Sequence, residues 1–216
     1  MGWIYLALPV ALSVGAAFWT RSRSYRRAGD TLHRTLRPWL LPVFVAVAAV
    51  LAAPSFAGRG PVVISTYAIA LVWSTVLAFI DFDVRRLPDA LTLPAYLVAA
   101  VALTACSVVT QDWTALLRAA ASAGIAVALF FLAALFSPGA DGLGLGDVKL
   151  SGVLAALLGW IGWTNAVMGL LSGFIIGGVV ALALLVTRRV DRRSHMSFGP
   201  AMIAGAYLWC LLAPPG

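Results

Sequence analysis

The most restrictive feature of this sequence is a succession of apolar stretches, each close to the length that crosses a lipid bilayer. A transmembrane helix needs about 20 mostly apolar residues. Eight such helices are predicted, at 3–19, 39–56, 62–80, 91–109, 118–136, 150–164, 166–187 and 197–213. The polar stretches between them are too short for a soluble domain. We therefore expect an all-α integral membrane protein, a bundle of about eight transmembrane helices.

Composition excludes a water-soluble fold. Hydrophobic residues make up 62% of the 216 and charged residues only 11%, whereas soluble domains carry about 25% charged residues. The first apolar stretch does not resemble a cleavable signal peptide, because no basic residue precedes it and Arg21, Arg23, Arg26 and Arg27 follow it. This stretch is expected to remain as a helix with its N-terminus outside the plasma membrane.

The basic residues predict the orientation of the bundle. An N-terminus outside places the loops 21–37, 81–89, 137–149 and 188–196 inside, and these loops hold 13 of the 15 Lys and Arg residues. Cytoplasmic loops of membrane proteins carry such an excess of positive charge. The net charge of +7 is therefore interpreted as a topology signal, and no nucleic-acid partner is expected.

Neither the cysteines nor the histidines form a metal-binding pattern. Cys106 and Cys210 are isolated in apolar stretches, and the sequence has no CxxC pair. His33 and His195 lie in or beside basic loops without ligand partners at useful spacing. We expect no metal site and no cofactor.

Three carboxylates follow the third apolar stretch, within residues 80–94. Asp81 comes directly after the apolar run, at the membrane boundary, where a carboxylate is costly and therefore indicates a function. Asp89 follows Pro88 and precedes the next apolar run, so we expect it to be the N-cap of that helix. Asp83 is interpreted as a solvated loop residue.

A second acidic segment precedes the sixth apolar stretch. Residues 141–150 read DGLGLGDVKL, with Gly142, Gly144 and Gly146 alternating before Asp147 and Lys149. Glycines permit unusual backbone angles and let another chain approach closely. Taken alone, the segment fits a flexible loop capped by Asp147 as well as it fits a functional loop.

The two acidic segments are expected to meet. Two predicted helices separate Asp81 from Asp147, and an even number of crossings returns the chain to the same face. Two close carboxylates do not ionise together easily, so the pKa of one rises. Such a pair provides one acid and one base near neutral pH, as in aspartic proteases.

These segments resemble the motifs of the type IV prepilin peptidase family, which belongs to the GxGD-type intramembrane aspartyl proteases. Asp81 precedes by seven residues the proline of LPDALTLP, at 87–94. GLGD at 144–147 resembles the GxGD motif, with Lys149 two residues beyond it. SFGP at 197–200 resembles a late motif of the same family. The resemblance covers roughly 62–213.

The resemblance implies a site, a reaction and a partner. Asp81 and Asp147 would be the catalytic pair. The supporting residues would be Gly144, Gly146, Lys149 and Asp89. The family cleaves the leader peptide of prepilin or pseudopilin precursors at the cytoplasmic face, typically after a glycine, and the apolar helix of the precursor would arrive through the bilayer. Residues 62–213 would form the catalytic domain and residues 1–61 a two-helix membrane region with a basic cytoplasmic loop.

One departure from the family pattern concerns methylation. Many bacterial members carry paired cysteines in a cytoplasmic segment near the N-terminus, linked to N-methylation of the cleaved product. The corresponding basic loop here, 20–37, contains no cysteine. We therefore expect cleavage without N-methyltransferase activity.

The alternative interpretation is a transporter or channel. Intramembrane carboxylates and Gly- or Pro-interrupted helices also suit ion sites. Against it, the acidic residues lie toward one face rather than at the midplane, and no inverted repeat is evident. The oligomeric state and the particular pilin-like substrate are left open by the sequence.

Overall fold

The computed structural model describes residues 2–26, 37–136, 144–187 and 198–213, with side chains from Leu6 onward. Within those ranges every regular element is an α-helix. The helices in chain order are α1 Gly2–Arg21, α2 Leu40–Ala52, α3 Pro61–Val84, α4 Asp89–Thr110, α5 Trp113–Phe136, α6 Leu145–Ile161, α7 Trp163–Val186 and α8 Gly199–Leu211. Each predicted apolar stretch has its counterpart, so the all-α architecture is confirmed.

Two helix boundaries differ from the prediction, and both concern the acidic segments. Helix α3 continues to Val84, so Asp83 lies on the helix rather than in a loop. Helix α6 begins at Leu145, five residues before the apolar run. Gly144, in an extended conformation, is its N-cap and accepts a 3.0 Å hydrogen bond from the Asp147 amide. A search for apolar stretches does not include polar residues at helix ends, which explains both differences.

Among the residues that the structure describes, four helices are long and apolar enough to cross a bilayer: α3, α4, α5 and α7. Large apolar side chains on them face outward, such as Leu97 at 71% and Leu117 at 72% exposure, as lipid contact requires. By contrast α2 and α8 have 13 residues each, a length of about 20 Å against a hydrocarbon core of about 30 Å. The chain is thus a membrane protein, while the expected count of eight crossings is supported only in part.

Helix α3 is the most enclosed of the four long helices. One side packs against α2, in a cluster that includes Leu41 and Val45. Its buried residue Leu77 belongs to a second cluster, with Leu150 of α6 and Met202 of α8. Because neighbours surround α3, the position of its carboxyl end, which carries Asp81, is fixed from several sides.

Helices α7 and α8 are in close contact through glycines. Gly169, Gly173 and Gly177 recur every four residues in the sequence, a spacing that predicts close helix packing on one face. The structure confirms this, since a Cβ on Gly173 would lie 2.7 Å from the Cα of Met202. The contact holds α8 against the bundle and thereby fixes where α8 begins.

The far end of the bundle carries its own helix caps. Arg118, one of the two basic residues outside the predicted cytoplasmic loops, donates 2.6 Å hydrogen bonds to the carbonyls of Gly159 and Trp160 at the end of α6. A cation there satisfies carbonyls that lack helical partners and complements the helix dipole. Asp112 caps α5 by accepting a 2.9 Å hydrogen bond from the Ala115 amide.

Candidate active site

Asp81 lies in the last turn of α3, as the sequence predicts, and is buried with 4% exposure. Its carboxylate faces the start of α8: a Cβ built on Gly199, the first residue of that helix, would stand 2.6 Å from Asp81 Oδ2. Arg85, with a left-handed backbone at φ 48°, ends α3 by donating its amide to the Asp81 carbonyl at 2.9 Å. The helix therefore terminates directly beyond Asp81, with α8 against its side chain.

Asp147 lies in the first turn of α6, before the apolar run and outside the four long helices. The Gly144 amide donates a hydrogen bond to its carboxylate, and the Asp147 amide bonds the Gly144 carbonyl, so the two residues cap the helix reciprocally. Burial, and next the negative charge of nearby Asp81, raise the pKa of Asp147 to about 7. The structure thus brings the two predicted carboxylates to the same end of the bundle, within electrostatic reach of each other.

The LPD and GxGD segments contact each other directly. Gly146 packs on Leu87, since a Cβ there would lie 3.2 Å from the Leu87 Cβ. Lys149 Nζ forms a 2.6 Å ion pair with Asp89 Oδ1. Each of the four expected supporting residues thus has a contact here: Gly144 bonds Asp147, Gly146 packs on Leu87, and Lys149 pairs with Asp89. These contacts join the start of α4 to the start of α6 beside the catalytic candidates.

The predicted capping role of Asp89 is wrong. Pro88 occupies the N-cap position of α4, no side-chain capping bond is formed there, and Asp89 is the first helical residue. Its carboxylate instead meets Lys149, and the pair is partly exposed, at 58% and 32% respectively. Exposed ion pairs contribute about 0–1 kcal/mol. The pair therefore matters more for joining the two segments than for global stability.

The interpretation of Asp83 as a solvated loop residue is also wrong. Its side chain is buried, with Asp83 at 2% exposure. Arg26 donates two 2.8 Å hydrogen bonds, one to each carboxylate oxygen, and the Tyr25 hydroxyl donates a third at 2.7 Å. Burial, followed by the bond to Asp83, raises the pKa of Tyr25 to about 12. No local sequence pattern indicates these partners, because they are almost 60 residues away from Asp83.

Sequence reasoning also left Gly199 and Phe198 without a role, although the FGP motif contains both. Phe198 packs on Phe174 of α7, with ring centroids 5.0 Å apart, and Phe174 packs on Phe130 of α5 at 5.1 Å. These rings anchor the turn that brings Gly199 to Asp81. Several residues singled out in the sequence lie outside the described ranges: His33, Gly142, His195 and Ser197.

The arrangement can perform acid–base chemistry on a bond placed between the carboxylates. One buried carboxylate and a neighbour with a raised pKa together hold a proton near neutral pH. Within the described ranges, no three His, Cys, Asp or Glu residues are grouped so as to hold a metal ion. Proton transfer is chemistry that Asp81 and Asp147 can themselves provide at this end of the bundle.

Residues 68–182, more than half of the chain, match the type IV leader peptidase family. Both Asp81 and Asp147 lie inside the matched region, whereas Tyr25, Arg26 and Gly199 lie outside it. No solved structure matches the chain.

Three curated relatives illustrate the similarity, and each bears the name prepilin leader peptidase/N-methyltransferase. The Aeromonas salmonicida protein is 34% identical over 146 residues, covering 66% of this chain and 48% of the relative. The Burkholderia pseudomallei protein is 32% identical over 171 residues, covering 76% and 52%. The Neisseria gonorrhoeae protein is 31% identical over 134 residues, covering 61% and 43%. The chain spans about half the length of these relatives. The matched region establishes that this chain belongs to the type IV leader peptidase family.

Proposed function

We propose that the chain is an intramembrane aspartyl endopeptidase that removes the leader peptide from type IV prepilin-like precursors. The observation that carries the proposal is the pair Asp81 and Asp147, held at one end of the bundle with the pKa of Asp147 raised to about 7. Family membership and the names of the relatives support a prepilin substrate.

The proposed reaction uses the two carboxylates in opposite protonation states. The Asp81 carboxylate takes a proton from a water molecule, whose oxygen attacks the carbonyl carbon of the scissile peptide. Protonated Asp147 gives its proton to the carbonyl oxygen, so that a neutral tetrahedral intermediate forms. As that intermediate breaks down, Asp81 gives its proton to the leaving amine nitrogen, Asp147 takes back a proton from one hydroxyl group, and the C–N bond breaks, so that both carboxyl groups return to their starting states. Because burial and the charge of Asp81 raise the pKa of Asp147 to about 7, the acid is available at neutral pH.

The proposed side of cleavage is cytoplasmic, with the N-terminus of the chain outside. The basic loops support this orientation, since 13 of 15 positive charges lie in loops assigned to the inside. In the structure, contacts between Arg26 and Asp83, Lys149 and Asp89, and Gly199 and Asp81 gather the corresponding helix ends at one end of the bundle. Cleavage is proposed to occur after a glycine. The precursor carries an apolar helix beyond that site, and this helix would bring it to this end of the bundle through the bilayer.

The glycines of the GxGD segment support Asp147 in this account. In the structure, Gly146 approaches Leu87, and a Cβ on Gly144 would lie 3.4 Å from Asp147 Oδ2. Both close contacts that these glycines make are with other residues of the same chain, Leu87 and Asp147. Their proposed role is to let Asp147 lie close to the start of α4 and to keep its carboxylate hydrogen-bonded to the Gly144 amide at the N-terminus of α6.

We further propose that the product keeps a free, unmethylated N-terminus. The relatives carry N-methyltransferase in their names, but the basic loop 20–37 of this chain lacks the paired cysteines associated with that activity.

The alternative of a transporter or channel would not require two carboxylates to share a proton at one end of the bundle.

The test is to incubate the purified protein, in detergent or liposomes, with a prepilin precursor that carries a basic leader and an apolar helix. We expect the precursor to lose the mass of its leader peptide and the product to begin at the residue after the glycine. In the presence of a methyl donor, intact mass spectrometry is expected to show no added methyl group. A precursor left intact by folded protein contradicts the peptidase proposal, and a methylated product contradicts the second proposal.

A further inference from the structure

The segment directly after α1 makes an enclosed ion pair with the end of α3. Arg26 and Asp83 are joined by a 2.7 Å ion pair in which the side chains are 15% and 3% exposed. Both guanidinium–carboxylate hydrogen bonds are 2.8 Å long, and the Tyr25 hydroxyl adds a third bond at 2.7 Å. Bidentate pairs of this kind fix orientation as well as contributing energy. The contact therefore specifies one position for the end of α3.

The contact lies on the opposite side of α3 from the catalytic candidate. Asp83 is two residues beyond Asp81, which on an α-helix is a rotation of about 200°. Asp81 faces Gly199 of α8, whereas Asp83 faces Tyr25 and Arg26 of the N-terminal segment. The last turn of α3 is thus held between α8 on one side and the N-terminal segment on the other.

The end of α3 needs such support. The helix stops at Val84, and a left-handed residue, Arg85, follows it. Helix termini lack intrahelical partners for their last carbonyls and fray more readily than helix interiors. A displacement of the last turn would move Asp81 relative to Asp147, and a misplacement of about 1 Å costs a catalytic group about 10²-fold in rate.

We propose that Tyr25 and Arg26 are positioning residues of the peptidase: through Asp83, they hold the last turn of α3 so that the Asp81 carboxylate is aligned with Asp147. This inference rests on the proposed function. It assigns a catalytic contribution to residues that lie outside the region matching the family. Tyr25 and Arg26 do not contact the substrate in this account.

The variants separate alignment from stability. Arg26→Lys keeps the charge but replaces the two-pronged contact with a single donor group, so the protein is expected to fold. Arg26→Gln leaves the buried Asp83 carboxylate without its cation, a change that destabilises proteins strongly. The double variant Arg26→Gln/Asp83→Asn removes both charges while amide groups restore hydrogen bonds at the same place. Arg21→Gln is the matched control, because it removes an exposed charge from the last residue of α1, close in sequence to Arg26.

The experiment measures kcat and KM for precursor cleavage by the monodisperse fraction of each variant, together with its melting temperature. We expect Arg26→Lys to lower kcat about tenfold with KM unchanged and the protein still folded. Arg26→Gln is expected to lose more, and the neutral double variant to regain much of that loss in kcat per folded molecule. Arg21→Gln is expected to match the wild type.

The outcomes distinguish the inference from the function on which it rests. Wild-type kcat in folded Arg26→Lys overturns the positioning role, whatever happens to the yield of Arg26→Gln. Equal kcat per folded molecule in every variant, with altered melting temperatures, also overturns it, since that pattern is purely structural. Failure of the wild type to cleave any precursor would instead overturn the proposed function.

Discussion

The contact between Gly199 and Asp81 offers a sharp test of the site, because a single methyl group reaches the catalytic candidate. A Cβ at residue 199 would lie 2.6 Å from Asp81 Oδ2, whereas ordinary van der Waals contact begins at 3.4 Å. In Gly199→Ala the carboxylate must therefore retreat by about 0.8 Å, the difference between those two distances. A displacement of about this size lowers the rate of a well-oriented reaction by up to about 10².

The same substitution is expected to be mild for stability. The atom that must move is the end of the Asp81 side chain and not backbone. Gly124→Ala in α5 and Gly178→Ala in α7 are matched controls, because a Cβ at either position meets nothing within 4 Å. The assay is cleavage of a prepilin precursor by purified, monodisperse protein, with thermal unfolding measured in parallel. Folded Gly199→Ala that cleaves as fast as the two controls would refute the placement of Asp81 in the reaction.

Further predictions test other parts of the mechanism. Cleavage is expected to decline as the pH rises above about 7, where Asp147 loses its proton. The pKa of Asp147 is about 7 in the folded state and 3.8 in the unfolded state, so ionisation of Asp147 destabilises the fold as the pH rises from about 4 to about 7. Asp147→Asn is therefore expected to raise the melting temperature at pH 8 but not at pH 4. Equal effects at both pH values would contradict the raised pKa. Replacing Lys149 by Met is expected to lower cleavage several-fold with little change in melting temperature, since its ion pair with Asp89 is partly exposed, and Lys149→Arg is the control that keeps the charge. Cysteines placed in 81–89 or 137–149 are expected to resist a membrane-impermeant label applied to intact cells, and labelling of the second loop would refute the cytoplasmic site.

The helical architecture was predictable because it depends on a local and strong signal. Apolar length alone locates every helix, and its limit is visible at the polar ends, where α3 and α6 extend beyond their apolar runs to include Asp83 and Asp147. The number of crossings is less predictable. Helices of 13 residues, such as α2 and α8, are apolar without being long enough to span on their own.

The site was predictable only where the sequence carries a motif or a topological argument. Counting helices between Asp81 and Asp147 places both at one face, and the structure brings them within electrostatic reach. Long-range partners carry no such signal. Arg26 is one of many arginines in a basic loop, and nothing in the sequence distinguishes it as the partner of Asp83. At Asp89 a local sequence pattern predicted a helix cap, but the carboxylate forms an ion pair with Lys149, which is distant in sequence.

The central claim is that Asp81 and Asp147 act together on a peptide bond, and the most direct measurement is precursor cleavage by Asp81→Asn, Asp147→Asn and the double variant. Asparagine keeps the shape of aspartate but transfers no proton. Each single variant is expected to lose cleavage by at least about 10³-fold, with the double variant little worse, since groups that act as a unit are not additive. Asp83→Asn is expected to lose less, and Asp112→Asn, which preserves a helix cap at the far end, is expected to cleave normally. Near-normal processing by folded Asp81→Asn or Asp147→Asn would contradict the mechanism and bring the transporter interpretation forward.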